Sequence, residues 1–207
     1  MFNDAVQDIL QEVAAATPAP GGGSVAAIAG AGGAALLAMV CRLTIGKKKY
    51  EAVGAAMEEA LARAESLQNR LAVLVTEDCD AFNEVMAALK QPKDAPEQAA
   101  ERQASIEAAT RRAIEVPWET MRTCIQALEL AEWIVPNGNR NALSDGGVAV
   151  LMLAAGLEGA YLNVVINLGG IRDAAFVETC RRETTALREQ ASQIKQRVLE
   201  AVNRDLG

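Results

Sequence analysis

Residues 17–33 read TPAPGGGSVAAIAGAGG, and this stretch decides what kind of fold the chain can form. Two prolines and three consecutive glycines cannot continue a helix, so residues 17–23 are predicted to form an irregular loop. Ser24 is the predicted N-cap of the helix that follows, which runs to about Ile45. Glycine inside a helix costs about 1 kcal/mol relative to alanine. The glycines at positions 30, 32 and 33 therefore predict that this helix packs closely against another backbone.

The composition of the whole chain agrees with closely packed helices. Of its 207 residues, 51% are hydrophobic but only 3% are aromatic, whereas strands are usually rich in aromatic and β-branched side chains. Apolar positions recur at helical spacing along most of the chain, and no strand alternation is visible. We predict an all-α fold, a multihelical bundle of about six to eight helices, in a single domain covering residues 1–207.

Breaks in the apolar pattern divide the chain into helices. Asp94 is expected to cap the helix that follows a break at Pro92. Pro117 is expected to interrupt or kink that helix, and Ser144 to cap the one that ends at Gly169-Gly170. The predicted helices cover residues 2–15, 24–45, 51–89, 94–116, 118–134 and 145–168, and a charged amphipathic helix completes the chain.

Two of these segments are apolar enough to be considered as membrane spans. Residues 25–41 carry no charge, but they are mostly alanine and glycine, which drive insertion weakly. Residues 148–168 contain Glu158, Asn163 and Asn167, which are costly inside a bilayer. No basic leader region follows Met1 either. We therefore expect a cytoplasmic protein with no membrane partner, whose apolar helices are buried inside the bundle.

The net charge and the absence of histidine exclude several kinds of partner and site. The net charge is −7, whereas a nucleic-acid-binding protein needs a basic face, so no nucleic-acid partner is expected. The chain has no histidine, which removes imidazole bases and most zinc sites, and no metal is expected. Four cysteines that form no CxxC pair are expected to be reduced and mostly buried: Cys41, Cys79, Cys124 and Cys180.

The glycine-rich loop at residues 17–23 is the first candidate site. A loop that leads into a helix presents free backbone N–H groups and the positive end of the helix dipole, and these hold an anion or a carbonyl. The loop does not match the GxxxxGK[ST] nucleotide motif, and it follows a helix rather than a strand. A tight connection between two helices explains the same residues.

Amide side chains form the second and third candidates. Residues 137–145 combine three asparagines with a glycine and an arginine before a helix; capping alone explains Asp145 but not the amides. Asn163 and Asn167 share one face of an apolar helix, where they either bond neighbouring helices or line a polar pocket. Asp145 lies on the same stripe as Asn163 but about 27 Å away. One small ligand could reach both only across a dimer interface.

Charged residues provide the remaining candidates. Residues 77–80 set acidic side chains beside apolar ones. An inward-facing carboxylate there, such as that of Asp78, would have a raised pKa and could act as a general acid or base; simple exposure is the alternative. Lys47, Lys48 and Lys49 at a helix end either complement the helix dipole or meet an anionic ligand.

The same segments carry a family resemblance. Residues 17–27, TPAPGGGSVAA, resemble the opening signature of the formiminotransferase-cyclodeaminase/methenyltetrahydrofolate cyclohydrolase family. The match continues in chain order through Met39-Val40, Leu43-Thr44, residues 46–50, Asp78, Ala81-Phe82, Pro92-Lys93, Arg102, Pro117, Gly138-Asn139, Asn141, Ser144-Asp145, Asn163-Val164 and Asn167-Leu168.

The resemblance implies an all-helical homodimer that acts on a folate and needs no cofactor beyond this substrate. It implies Asp145 or Asp78 as general base or acid, and Lys47 as the contact to negative groups of the folate. The substrate-binding residues that it implies are Pro20, Gly21, Gly22, Gly23, Ser24, Lys48, Asn139, Asn141, Ser144, Asn163 and Asn167.

The family offers two reactions. The cyclohydrolase opens 5,10-methenyltetrahydrofolate with water to give 10-formyltetrahydrofolate, whereas the cyclodeaminase closes 5-formiminotetrahydrofolate to the methenyl compound and releases ammonia. In the bifunctional enzyme the cyclodeaminase is fused to a transferase domain. The family resemblance of this sequence begins close to residue 1, without a preceding transferase domain, so we expect the cyclohydrolase. A folate-binding protein without turnover and a purely structural helical protein are the alternatives of another class.

Overall fold

The computed structural model describes residues 2–206, and the side chains from Asp4 to Leu206. Within this range the chain forms six α-helices and no strand, which confirms the prediction of an all-α bundle. The helices are α1 (Phe2–Ala14), α2 (Gly22–Thr44), α3 (Gly54–Leu89), α4 (Pro96–Asn137), α5 (Leu143–Leu168) and α6 (Ala174–Leu206). Two 3₁₀ turns, Lys48–Val53 and Arg140–Ala142, precede α3 and α5.

Helices α2 and α5 pack against each other in opposite directions at very short range. A Cβ atom added at Gly156 would lie 2.7 Å from the carbonyl oxygen of Ala26 and 2.9 Å from the backbone nitrogen of Gly30. One added at Gly33 would lie 2.8 Å from the carbonyl oxygen of Ala149. The glycines therefore let two backbones touch, as their cost inside a helix predicted.

The hydrophobic core lies between this pair and the three longer helices. Fully buried side chains come from α2, α3, α4 and α5, and α6 closes the bundle with further buried residues. The largest of these side chains include Leu37, Leu71, Leu128, Leu153 and Ile194. Aliphatic residues and small alanines fill the core, as the low aromatic content indicated.

Three predicted helix boundaries are wrong. The N-cap of α2 is Gly21, so Ser24 lies in the first turn of the helix and its side chain is free to bond elsewhere. Ala95, not Asp94, precedes α4, where the Gln98 side chain accepts from the Ala95 N–H at 3.3 Å. Ser144 also lies inside its helix, because the 3₁₀ turn before α5 lets the helix begin at Leu143.

The prediction that Pro117 interrupts a helix is also wrong, because α4 is continuous from Pro96 to Asn137. Proline removes one backbone donor and normally breaks a helix. Val116, Pro117 and Trp118 are all buried in the core. Tertiary packing therefore holds the helix together at this point, although local propensity disfavours it.

The cysteine prediction is confirmed. All four thiols are free; Cys41, Cys124 and Cys180 are buried, while Cys79 is partly buried. Burial raises the pKa of Cys41 and Cys180 to about 11 and that of Cys124 to about 12. These three thiols are therefore protonated at neutral pH and act as small core residues.

Two helical segments, Gly22–Thr44 and Arg140–Leu168, are long and apolar enough to cross a membrane. In the structure, 56% of the most apolar window of the first and 44% of that of the second are buried. We expected both helices to be buried inside the bundle, but only the inward-facing side of each helix is buried. The other side of each helix faces outward.

The close approach of α2 and α5 makes a prediction about stability. Substituting Gly156→Ala would force a methyl group against backbone atoms that cannot rotate away, and should lower the free energy of unfolding by about 1–3 kcal/mol. Gly54→Ala is the matched control, because nothing lies within 4 Å of its added Cβ. Urea unfolding followed by circular dichroism would measure both; equal midpoints for the two variants would contradict this account of the packing.

Candidate active site

A cleft of about 300 Å³ opens where the N terminus of α2 meets α3, α4 and the C-terminal half of α5. Its polar wall includes the backbone of Gly21, Gly22 and Gly23 and the side chain of Asp78. The residues that line it include no lysine or arginine. The full lining is Pro18, Ala19, Gly21, Gly22, Gly23, Asp78, Phe82, Val85, Ala113, Asn163, Ile166 and Asn167.

The Asp78 carboxylate lies against the first turn of α2. The Ser24 hydroxyl donates to Asp78 Oδ2 at 2.8 Å, and the Ser24 backbone N–H also donates to this carboxylate. A Cβ added at Gly23 would lie 2.2 Å from Asp78 Oδ1, so only glycine fits there. The N terminus of α2 thus holds a carboxylate of the chain itself, where the sequence suggested a bound anion.

Opposing effects set the proton affinity of Asp78. Burial raises the pKa of this carboxyl above its ordinary value, and the two hydrogen bonds from Ser24 lower it in part. A partly buried carboxylate with a raised pKa, beside an open cleft, is suited to accept and return a proton. The sequence prediction that one acidic residue of the segment 77–80 faces inward is confirmed for Asp78.

Cys79 extends the same group of polar atoms. Its sulfur lies 3.4 Å from the Ser24 hydroxyl oxygen, and this contact was not predicted from the sequence. Ser24 was predicted to bind substrate. In the structure its hydroxyl is already directed at Asp78 and Cys79, so its position fits the orientation of the carboxylate.

Asn163 and Asn167 lie together in the cleft wall, and Asn167 also bonds the neighbouring helix α4, so each of the two alternatives that the sequence left open holds in part. Asn163 donates to the carbonyl oxygen of Gly159 at 2.9 Å. Asn167 donates to the carbonyl oxygens of Asn163 at 2.9 Å and Ala113 at 3.3 Å. Within the described part of the chain, the side-chain oxygens of both amides accept no hydrogen bond, so they remain available to a ligand.

Pro117 affects the cleft wall indirectly, through the carbonyl group of Ala113. Because proline has no N–H, it cannot donate to the carbonyl of Ala113 one turn earlier in α4. The Asn167 side chain supplies that missing donor. A proline that sequence analysis treated as a helix breaker thus creates an acceptor that fixes Asn167 at the cleft. Nothing in the local pattern of residues 113–117 signals this role.

The predicted residues of the 137–145 loop lie at the opposite end of α2 and α5. The Asn139 N–H donates to the Thr44 hydroxyl at 2.8 Å, and its side chain donates to the carbonyl of Leu43 at 2.9 Å. Asn139 also accepts from the N–H of Asn141 at 3.1 Å. Asn139 is buried and fully engaged, so it ties the end of α2 to the turn before α5, whereas Asn141 is exposed.

Lys47 and Lys48 border a second, shallow groove at this end. Their neighbours there include Tyr50, whose hydroxyl accepts from the Arg140 N–H at 3.0 Å. Both lysines are exposed. The groove is about 500 Å³ in volume and very open. It provides the positive charge that the first cleft lacks.

Asp145 and Ser144 lie in the first turn of α5, near the same end. Asp145 is half-buried, its carboxylate makes no hydrogen bond or ion pair within the described residues, and Ser144 is exposed. The structure therefore divides the predicted site residues into two groups. One group surrounds Asp78, and the other includes Lys47, Asn139, Asn141 and Asp145.

The apolar wall of the first cleft was not predicted from the sequence. Phe82 and Val85 from α3 and Ile166 from α5 line it opposite the glycines. Phe82 and Val85 fall on the apolar stripe of α3, which predicts core packing equally well. Among the predicted binding residues of the segment 20–24, Pro20 and Ser24 do not line the cleft, although both adjoin residues that do.

Comparisons with known proteins identify the family of the chain. The family model for formiminotransferase-cyclodeaminase matches residues 5–186. The chain is 42% identical over 200 residues to the methenyltetrahydrofolate cyclohydrolase of Methylorubrum extorquens, covering 97% of this chain and 96% of that protein. It is 34% identical to the formimidoyltransferase-cyclodeaminase of Rattus norvegicus, covering 92% of this chain but only 35% of that protein.

A solved structure shows the same fold. The chain superimposes on the crystal structure of formiminotetrahydrofolate cyclodeaminase from Thermotoga maritima with a TM-score of 0.88 and 29% sequence identity. The match covers 97% of this chain and 96% of that one. The family model, the end-to-end relative and the solved structure all agree, and the chain therefore belongs to the formiminotransferase-cyclodeaminase family.

Proposed function

We propose that this chain is a one-carbon folate enzyme that hydrolyses 5,10-methenyltetrahydrofolate to 10-formyltetrahydrofolate. The observation that carries the proposal is the Asp78 carboxylate, held by Ser24 at a cleft whose lining includes no lysine or arginine. The methenyl carbon of the substrate belongs to an amidinium cation shared between N5 and N10. A carboxylate without a competing cation is a suitable partner for such a group.

The geometry suggests a role for each polar group in the cleft. Asp78 takes a proton from water as the water oxygen bonds to the methenyl carbon, which becomes tetrahedral. Asp78 then returns this proton to N5 as the bond between N5 and that carbon breaks, and the hydroxyl proton is released. The formyl group stays on N10. The free amide oxygens of Asn163 and Asn167 would accept from N–H groups of the pterin ring.

The cyclodeaminase reaction is the second candidate, because it needs the same carboxylate and the same tetrahedral carbon. The relatives named for it are 34% and 29% identical to this chain, compared with 42% for the cyclohydrolase. Chain length does not separate the two, since the Thermotoga cyclodeaminase has almost the same extent as this chain. The identity therefore favours the cyclohydrolase, and a folate-binding protein without turnover is the remaining alternative.

The proposal also covers the attraction of the substrate, the cellular compartment and the oligomeric state. Lys47 and Lys48 would attract the anionic groups of the folate, since they are the exposed cations beside the groove at the C-terminal end of α2. We also propose that the protein is a cytoplasmic homodimer and that its folate substrate is the only organic group it needs. We propose neither nucleic acid nor a membrane as a partner.

The first test follows the absorbance band of 5,10-methenyltetrahydrofolate at neutral pH. The wild-type protein should remove the band well above the spontaneous rate. Asp78→Asn should lower kcat by about 10²- to 10⁴-fold, because it removes general acid–base catalysis while keeping the side-chain shape. Asp80→Asn is the matched control, since Asp80 is an exposed neighbour in the same helix.

The outcome of this assay also separates the alternatives. If the band is not consumed faster than in buffer, the cyclohydrolase proposal fails. Ammonia release from 5-formiminotetrahydrofolate would then establish the cyclodeaminase. If neither reaction is accelerated while tetrahydrofolate still binds, measured by calorimetry, the chain is a folate-binding protein. Full activity of Asp78→Asn would remove that carboxylate from the mechanism.

The second test uses the pH dependence of kcat. Asp78 acts as a base only when ionised, so kcat should fall as the pH drops through its raised pKa. The Ser24 hydroxyl stabilises the ionised form and lowers this pKa. Ser24→Ala should therefore raise the pKa and move the acidic limb of the profile to higher pH. Ser192→Ala on α6 is the exposed control; an unchanged profile for Ser24→Ala would show that Ser24 does not position Asp78.

The third test concerns Lys47. Lys47→Gln should raise KM about two- to fivefold and leave kcat nearly unchanged, because an exposed ion pair contributes at most about 1 kcal/mol. The difference from wild type should shrink at high salt. Lys90→Gln, at another exposed helix end, should change neither constant. An unaltered KM for Lys47→Gln at low salt would exclude this contact.

A further inference from the structure

Pro117 leaves one backbone carbonyl in the middle of α4 without its usual partner. In an α-helix, each carbonyl oxygen accepts from the N–H group four residues later. For Ala113 that residue is Pro117, which has no N–H, and the proline ring also pushes this carbonyl away from the helix axis. Pro117 is buried and Ala113 is half-buried, and an unpaired carbonyl in such a place is costly. A donor from outside α4 is therefore needed.

The Asn167 side chain supplies this donor from the last turn of α5. An amide nitrogen carries two hydrogens. At Asn167 one is donated to the carbonyl of Asn163 in the same helix at 2.9 Å, and the other to the carbonyl of Ala113 at 3.3 Å. Because both partners are acceptors, the nitrogen must face them. The side-chain oxygen is then the polar atom that Asn167 has left for the cleft, which this residue lines.

The same two carbonyls exclude the opposite orientation of this amide. Turning it by half a turn would lose both hydrogen bonds and would set the amide oxygen against two carbonyl oxygens. The bond to Asn163 lies within α5 itself. Among the described residues, the bond to Ala113 is therefore the only hydrogen bond that holds the Asn167 side chain from another helix.

Asn163 presents the same kind of atom one turn earlier in α5. Its nitrogen donates to the carbonyl of Gly159 at 2.9 Å, and its oxygen accepts no hydrogen bond among the described residues. Asp78, the third polar side chain in the cleft lining, is an acceptor when it is ionised. The polar side chains of the cleft therefore offer acceptors, and its donors come from the backbone N–H groups of residues 21–23.

We propose that Pro117 is a positioning residue for the substrate. By freeing the Ala113 carbonyl it orients Asn167 with its oxygen toward the cleft, and so makes this wall selective for a ligand edge that carries N–H donors. This inference rests on the proposed function. The pterin ring fits such a wall because its pyrimidine part carries adjacent N–H and NH₂ groups, whereas an edge of carbonyls or carboxylates would meet acceptors.

The first measurement follows the side-chain amide of Asn167 by ¹⁵N–¹H NMR, where its signals are identified by their absence in Asn167→Leu. Pro117→Ala and Pro117→Val both restore an N–H at residue 117, and one leaves space while the other fills it. In both variants the Asn167 amide protons should exchange with water about two- to tenfold faster, because the Ala113 carbonyl turns back to a helix donor. Pro136→Ala is the matched control, since Pro136 is the other proline in the interior of α4 and is exposed.

The second measurement is the Kd of tetrahydrofolate by calorimetry. Loss of the fixed acceptor should raise Kd about two- to tenfold in Pro117→Ala and Pro117→Val, and Pro136→Ala should bind like the wild type. A double-mutant cycle shows whether the proline acts through the asparagine. Asn167→Leu should weaken binding by itself, and adding Pro117→Ala to it should cause no further loss.

Three outcomes would overturn the proposal. In the first, the Asn167 protons exchange at the wild-type rate in both variants of Pro117. In the second, the losses of Pro117→Ala and Asn167→Leu add, which would mean that the proline acts by packing alone. In the third, tetrahydrofolate binds every variant equally.

The two measurements separate this proposal from the proposed function. A wild type that binds no tetrahydrofolate would refute the proposed function, and with it the role of Pro117 in binding. The exchange measurement needs no ligand, so it still decides whether Pro117 orients Asn167.

Discussion

The close contact between the backbones of α2 and α5 is the constraint on which the rest of the structure depends. Where Gly156 meets Ala26 and Gly30, no side chain separates the two helices. This contact fixes the first turn of α2 beside the C-terminal half of α5, and therefore sets Ser24 and Asp78 next to the amides of the cleft. It also leaves the outer faces of both helices together on one side of the bundle, where they form a single apolar surface.

The chemistry of the cleft follows from how its carboxylate is held. A buried acid is normally neutralised by a cation, but Asp78 is bonded by the N–H and hydroxyl groups of Ser24 at a helix N terminus. These donors stabilise the ionised form without adding a competing positive charge. The carboxylate thus keeps its affinity for a cationic substrate as well as for a proton. Gly23 is a necessary part of this arrangement, because any side chain there would occupy the position of the carboxylate.

Much of the fold could be predicted from the sequence, but less of the site. Glycine within α2 indicated close packing because its cost in a helix must be offset by a contact. Apolar spacing predicted seven helical segments, two of which are parts of the single helix α4. Local signals failed where tertiary contacts decide: Ser24 bonds Asp78 instead of capping its helix, and Pro117 lies within a continuous helix. The link between Pro117, Ala113 and Asn167 joins two helices, so no spacing rule within either one could reveal it.

The proposed function depends on a folate lying in the cleft beside the Asp78 carboxylate. A crystal structure of the protein with bound tetrahydrofolate would test this most directly. The proposed function predicts that the pterin ring lies beside Asp78 and Asn163, with the carbon between N5 and N10 facing the Asp78 carboxylate. A folate bound in the lysine-lined groove away from Asp78 would contradict it.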